Sequence, residues 1–317
     1  MRLRFGVMMT FRIEMMFHPT LTVPDPGLEQ AGKWFERTFG RKGVRWEEKY
    51  DFSKINSDYP VNYSFFIHLA DVVLDVLYLP LSPRPDVVVR HPLDFVAWYT
   101  DNAVEAAEHV RSLGVRCWDL KGPMDSRRLS PSLLADDILF FFTEPEDTGI
   151  CWEVFEMGEA HRETYSVKGD PRLRPDWSLP SPSEDDPLQL EHCSHHTFLT
   201  QNPKRVEDFC VNAFQATPKG KQYNRELDAD STFFDLAGSV LEFAVLRPDS
   251  PYQGAVDETS DRHFGMSFKV GDLGAVEHHL ASVGVKATRT DGGAVVVEPV
   301  DGYGVQWRFI DAYPYSG

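Results

Sequence analysis

The chain carries the same strand twice. GICWEVFEM, from Gly149 to Met157, reappears 155 residues on as GVQWRFIDA, from Gly304 to Ala312, with Gly149, Trp152 and Glu156 meeting Gly304, Trp307 and Asp311. Three more pairs keep the same order. LADVVLDVLYLP from Leu69 meets LAGSVLEFAVLRP from Leu236 and sets Asp75 against Glu242, 167 residues apart. HPTLTVPD from His18 meets HHTFLTQN from His195 at a separation of 177, and SLGVRCWD from Ser112 meets SVGVKATR from Ser282 at 170. Ordered matches at similar separations indicate a duplicated module. A chain of 317 residues also suits about two domains. The modules are expected over 12–158 and 189–313, joined by a linker over 159–188 that is rich in Pro, Ser and acidic residues.

Each module divides again. EMMFHPTLTV alternates as a strand, and LEQAGKWFERTFG places apolar residues at helical spacing before a closing glycine, Gly40. VRWEEKY, YSFFIHL and VVLDVLYL read as three further strands, with DFSKINSDYPVN between the first two as a cleft rim. The order then repeats through DFVAWYT, NAVEAAEHVRSLG, VRCWDL, DILFFFTE and CWEVFEM. Module two supplies its helices as PKRVEDFCVNAFQ and LGAVEHHLASVG. The unit is β-α-β-β-β, four times over, which predicts an α+β fold.

HPTLTVPDPGLEQAGKWFERTFG and VEAAEHVRSLGV resemble the opening strand, turn and helices of the vicinal oxygen chelate superfamily. That group includes glyoxalase I, extradiol dioxygenases and bleomycin-resistance proteins. The resemblance covers residues 12–158 and 189–313 and implies two tandem modules, each a curled mixed sheet around a cleft with helices outside. It also implies metal ligands on the first and last strands of each unit. Carried onto module one, those places hold His18, Asp75, Asp94 and Glu153, Asp94 being counted seven residues back from Asp101. Module two offers His195, Glu242, Gly265 and Arg308, and a fixed cation there disfavours a metal. An alternative set, His195, Glu242 and His263, would form a facial triad.

One histidine with carboxylates is a hard, anionic donor set that suits Mn, Fe, Mg or Zn. His18, Asp75 and Glu153 are therefore the expected metal ligands, and Glu153 or Asp94 the expected base. Glu153 stands in an apolar strand, where a carboxylate should be paired, metal-bound or shifted in pKa. Tyr63, His68 and Arg308 are candidates for binding substrate; the plainer reading of Arg308 is an internal pair with Glu242. Tyr78 and Tyr99 are further strand tyrosines. His192, His196, His278 and His279 read as surface or strand-edge residues. If His91 joined His18 and Glu153, the set would be that of an iron dioxygenase.

Composition narrows the function further. A net charge of -17 argues against nucleic-acid and anionic-membrane partners. No apolar run reaches membrane-spanning length, and the N-terminal MRLRFGVMMTFRIEMMF reads as a short extension, because Arg12 and Glu14 break its apolar run. The four cysteines form no CxxC pair, as expected of reduced thiols in a cytoplasmic protein. No GxGxxG, Walker, or GxSxG sequence is present. The leading expectation is a metal-dependent isomerase or lyase acting through a metal-stabilised enolate on a small oxygen-bearing organic molecule, aromatic ones included. The alternatives are an extradiol-type Fe(II) ring-cleaving dioxygenase and a metal-free binding protein of the resistance type. Monomer and homodimer both suit tandem modules.

Overall fold

A computed structural model describes residues 10–24, 27–45, 48, 62–82, 88–124, 129–130, 135–183, 185–256 and 260–314. The expected cleft-rim loop lies outside them except for Asn62. Unit one runs through β1 (Ile13–Thr22), α1 (Gly27–Phe39), β2 (Val44–Arg45), β3 (Ser64–Leu69) and β4 (Val72–Leu77). Unit two follows as β5 (Leu93–Thr100), α2 (Ala103–Ser112), β6 (Cys117–Asp119), β7 (Gly122–Pro123), β8 (Ile138–Thr143), α3 (Pro145–Thr148) and β9 (Cys151–Met157). After α4 (Glu159–Lys168), unit three comprises β10 (Leu190–Leu199), α5 (Pro203–Phe214), β11 (Thr217–Asn224), β12 (Ala229–Leu236) and β13 (Ser239–Leu246). Unit four is β14 (Arg262–Val270), α6 (Leu273–Ser282), β15 (Thr288–Arg289), β16 (Val295–Val297) and β17 (Gln306–Ile310).

The pairing repeats with the units. In module one, β1 runs parallel to β4 and antiparallel to β5, which runs parallel to β9. In module two, β10 stands in the same way to β13 and β14, and β14 to β17. Each module is thus a mixed sheet centred on the antiparallel pair of its two opening strands. The two sheets meet where His263 of β14 pairs with Leu93 of β5.

Helix starts follow local chemistry. Asn102, Asn202 and Asp272 accept hydrogen bonds from backbone N–H groups of the first turns of α2, α5 and α6. The helices cover the backs of the sheets. Trp34, Phe35 and Phe39 of α1 pack in one core with Phe268, Trp307 and Phe309 of unit four. Trp98 and Trp152 of unit two share another with Phe198, Phe209 and Phe214 of unit three. Two histidines fasten this junction in matching places. His109 of α2 donates through Nε2 to the Asn212 carbonyl at 2.9 Å, and His279 of α6 to the Thr38 carbonyl at 3.0 Å. Both carbonyls lie in last helical turns, where acceptors lack intrahelical partners. His279 is therefore a module tie rather than a surface residue.

The expected linker is largely structured. Tyr165 of α4 is fully buried in one cluster with Phe17, Tyr99 and Phe155. The chain following α4 is held by Arg172, which pairs with Asp170 at 2.6 Å and donates to the carbonyls of Phe17 and Asp71. His196, expected near the surface, is 2% exposed; its Nδ1 lies 3.3 Å from His263 Nε2, and the His263 ring stacks on Phe198.

The repeated glycines stand where the two modules touch. A Cβ on Gly149 would stand 1.8 Å from Asp261 Oδ2, and one on Gly304 would stand 2.4 Å from Pro92 Cγ, both at positive φ. Gly149→Ala is expected to lower stability by about 3 kcal/mol, combining left-handed strain with overpacking. Gly114→Ala, also at positive φ but with nothing within 4 Å, should cost only about 1–2 kcal/mol. Urea denaturation of the two variants checks the difference.

The histidine pair predicts acid sensitivity. Burial, and then the charge of His195, holds His196 down to about 3; burial and His196 hold His263 well below its ordinary value. The unfolded chain takes up protons near pH 6.5 that the folded chain refuses. The contribution of the two histidines is therefore complete above pH 6.5 and declines as pH falls from there toward 3, by about 1.4 kcal/mol per unit for each, while Glu153, raised to about 8, gives an opposite slope over the upper part of that range. Between pH 6.5 and 5 the stability from urea denaturation should fall less steeply with acid in His196→Gln than in the wild type, by about one histidine's share of the slope.

Candidate functional site

Three opening and closing strands place the polar groups of module one. His18 on β1 lies opposite Ala97 on β5, and Ala97 lies opposite Glu153 on β9. Asp75 on β4 lies opposite Thr20, two residues from His18 and therefore on the same face of β1. Side chains alternate between faces, so Trp152 and Val154 point into the inter-module core while Glu153 points into the cleft. His18, Asp75 and Glu153 thus share one cleft. His18 and Asp75 are buried and Glu153 is half-buried. Burial, and behind it the charge of Asp75, pushes the Glu153 carboxyl up to about 8. The His18 Nδ1 lies 3.2 Å from Thr20 Oγ1, and its ring lies 4.2 Å from that of Phe17.

The walls are aromatic. Phe142 is the cross-strand partner of Glu153, and its ring stacks on Trp118 at 4.1 Å and 17°. Phe140 and Phe155 stack at 5.5 Å on the same face of β8 and β9. A flat apolar wall beside a proton-exchanging carboxyl suits a small planar molecule with a polar edge.

Asp94 takes a different place from the one expected. Ala97, three residues later, occupies the position between His18 and Glu153. Asp94 sits where the β1–β5 register shifts between Thr20 and Leu21, and its Oδ2 accepts the Arg90 N–H at 2.7 Å. Burial raises its carboxyl, and the Arg90 backbone N–H partly offsets that. The count of seven back from Asp101 fails because Ala97 stands only four residues before Asp101 and Ser267 only five before Asp272, whereas His195 stands seven before Asn202. For the same reason Ser267, not Gly265, faces His195 in module two.

The other candidates are scattered. His68 alternates with Phe66 on the cleft face, and its charge acts on Asp170. Tyr63 stands before β3, and its carbonyl accepts the Tyr78 N–H at 2.8 Å. His91 precedes β5 and leaves the ligand place to Ala97. The alternative triad is divided: His263 packs with His196 and Phe198, on the face of β10 opposite His195. Arg308 lies opposite Ser267 and pairs with Glu226 at 2.8 Å rather than with Glu242.

In kind, one imidazole and two carboxylates fit a hard divalent ion, and the mutual repulsion of Asp75 and Glu153 is what such an ion would relieve. Among the described residues no three His, Cys, Asp or Glu side chains are drawn together as a metal cluster. No described helix is long and apolar enough to cross a membrane.

No family model and no curated protein matches the sequence. Solved structures do match the fold. The Mn(II)-bound glyoxalase from Novosphingobium aromaticivorans aligns with a TM-score of 0.56 at 11% identity, covering 96% of this chain and 87% of that one. The 2,2',3-trihydroxybiphenyl 1,2-dioxygenase from Sphingomonas wittichii RW1 gives 0.54 at 9% identity, over 95% of this chain and 93% of that one. A xylose isomerase-like TIM barrel/4-hydroxyphenylpyruvate dioxygenase fusion protein gives 0.53 at 13% identity over 96% of this chain, which spans only 49% of the fusion's length. With opening strands paired at the centre of each curled sheet and likeness to these structures over nearly its whole length, the chain has the vicinal oxygen chelate fold.

Proposed function

We propose that the protein is a metal-dependent enzyme of the vicinal oxygen chelate type, and that module one holds its active cleft. The reading rests on one observation: strand register brings His18, Asp75 and Glu153 to one cleft face, with Glu153 raised to about 8 beside Asp75. His18, Asp75 and Glu153 would hold a divalent ion, of which Mn, Fe, Zn and Mg all suit the donors. When bound, that ion supplies Lewis-acid stabilisation of negative charge on a substrate oxygen.

The chain's own groups do the rest. Without an ion the Glu153 carboxyl holds its proton up to about 8; a bound ion would keep it ionised, and it would act as base by leaving the ion. Glu153 is thus suited to give and take a proton at a substrate carbon next to a carbonyl, which is isomerase or lyase chemistry. Phe142 and Trp118 form a flat wall against which a small organic substrate is oriented. His68 stands on the same face, where it would meet a substrate oxygen. The ring-cleaving dioxygenase reading asks for a second histidine at the metal, and Ala97 and Ser267 stand in those places in the two modules. The metal-free binding reading draws on the aromatic cleft alone.

Glu153→Gln keeps the shape of the side chain and removes its charge. It is expected to weaken metal binding by about 100-fold or more and to abolish turnover. Metal per chain, measured on protein purified without chelator, together with an enolisation assay on small vicinal dioxygen compounds, checks both. Unchanged metal content and activity would place the site elsewhere; iron with oxygen uptake would restore the dioxygenase reading, and ligand binding without metal the third.

A further inference from the structure

Module two repeats the register of module one with different chemistry. His195 lies opposite Ser267, and Ser267 opposite Arg308, as His18, Ala97 and Glu153 lie opposite one another. Each polar group there is already engaged by the protein. His195 Nε2 lies 3.0 Å from Ser267 Oγ and 3.4 Å from Glu242 Oε2, while its Nδ1 lies 3.0 Å from Ser194 Oγ. Glu242 accepts hydrogen bonds from Thr197 at 2.7 Å, Asn224 at 2.8 Å and Ser231 at 2.6 Å. Burial alone would raise its carboxyl; His195, Ser231 and Asn224 outweigh that and hold it down to about 2. Arg308 pairs with Glu226, which also accepts from Thr290 Oγ1 at 2.6 Å.

A metal ion entering this cleft would have to strip three donors from Glu242, break both hydroxyl contacts of His195 and sit beside a guanidinium that never loses its charge. We infer that the module-two cleft takes no metal ion and that Arg308 is the residue that closes it, supplying as a side chain the positive charge that an ion brings. The anionic residues of module two are thereby satisfied internally, and its cleft serves as a rigid counterpart to module one. The contrast with module one rests on the proposed function, but the closure of module two does not.

The experiment counts manganese ions per full-length chain by calorimetric titration and by elemental analysis. The wild-type chain should bind one. A His18→Ala, Glu153→Gln variant, which disables module one and leaves module two intact, should bind none. Two ions on the wild type, or one on the disabled variant, would overturn the inference. A wild type that binds none would sink the module-one reading and leave the closure of module two upheld. Ser267→His with Arg308→Glu should open a second site and raise the count to two, with folding checked by circular dichroism. A folded double variant with no second ion would show that Arg308 is not what closes the cleft; should it not fold, the disabled variant still decides.

Discussion

The antiparallel pairing of opening strands is the constraint on which the rest depends. In β1–β5 and β10–β14 the register decides which side chain from each strand enters the cleft and which enters the core between modules. A slip of one residue would send His18 and Glu153 into the core and bring their apolar neighbours into the cleft. That slip is opposed from behind. Trp98, Trp152 and Phe198 fill one inter-module core and Phe268, Trp307 and Phe309 fill another, so each sheet is pinned by the face that the substrate never meets. The register shifts within both pairs are part of this arrangement, since they let β1 and β10 bend around a cleft while keeping their polar residues aligned.

On this shared frame the two modules manage buried charge in opposite ways. Module one leaves Glu153 beside Asp75, and the carboxyl responds by holding its proton to about 8. Module two surrounds Glu242 with an imidazole, two hydroxyls and an amide and keeps it ionised, while Arg308 is matched by Glu226. A buried carboxylate without sufficient partners is costly, and a fully partnered one is stable but chemically idle. The difference between the clefts is therefore one of electrostatic saturation, carried by very few positions on nearly the same backbone.

Much of the fold was legible in the chain. The four matched segments marked the units, a closing glycine marked a helix end, and the alternation in CWEVFEM already pointed Glu153 away from Trp152. The candidate site was legible in part. His18, Asp75 and Glu153 belong to strands matched directly between modules, and they come to one face. Asp94 was misplaced because a bulged strand does not keep a constant distance to its helix cap. His263, offered only as an alternative ligand, falls on the other face of β10, and the segment after Met157, read as a linker from its Pro, Ser and acidic residues, opens with a helix that docks through Tyr165.

The order of residues along the chain carries the duplicated βαβββ plan, the chemistry of each matched position, and the opposition of Glu153 to Arg308. Those are local or repeated features, and they survive without knowing which strands touch. Only the tertiary structure decided that Ala97 stands between His18 and Glu153, that Arg308 pairs with Glu226, and that His196 and His263 lie buried together. These depend on bulges, on strand order and on a loop reaching across a sheet. They are relations between residues far apart in the chain, and no spacing within a single strand encodes them.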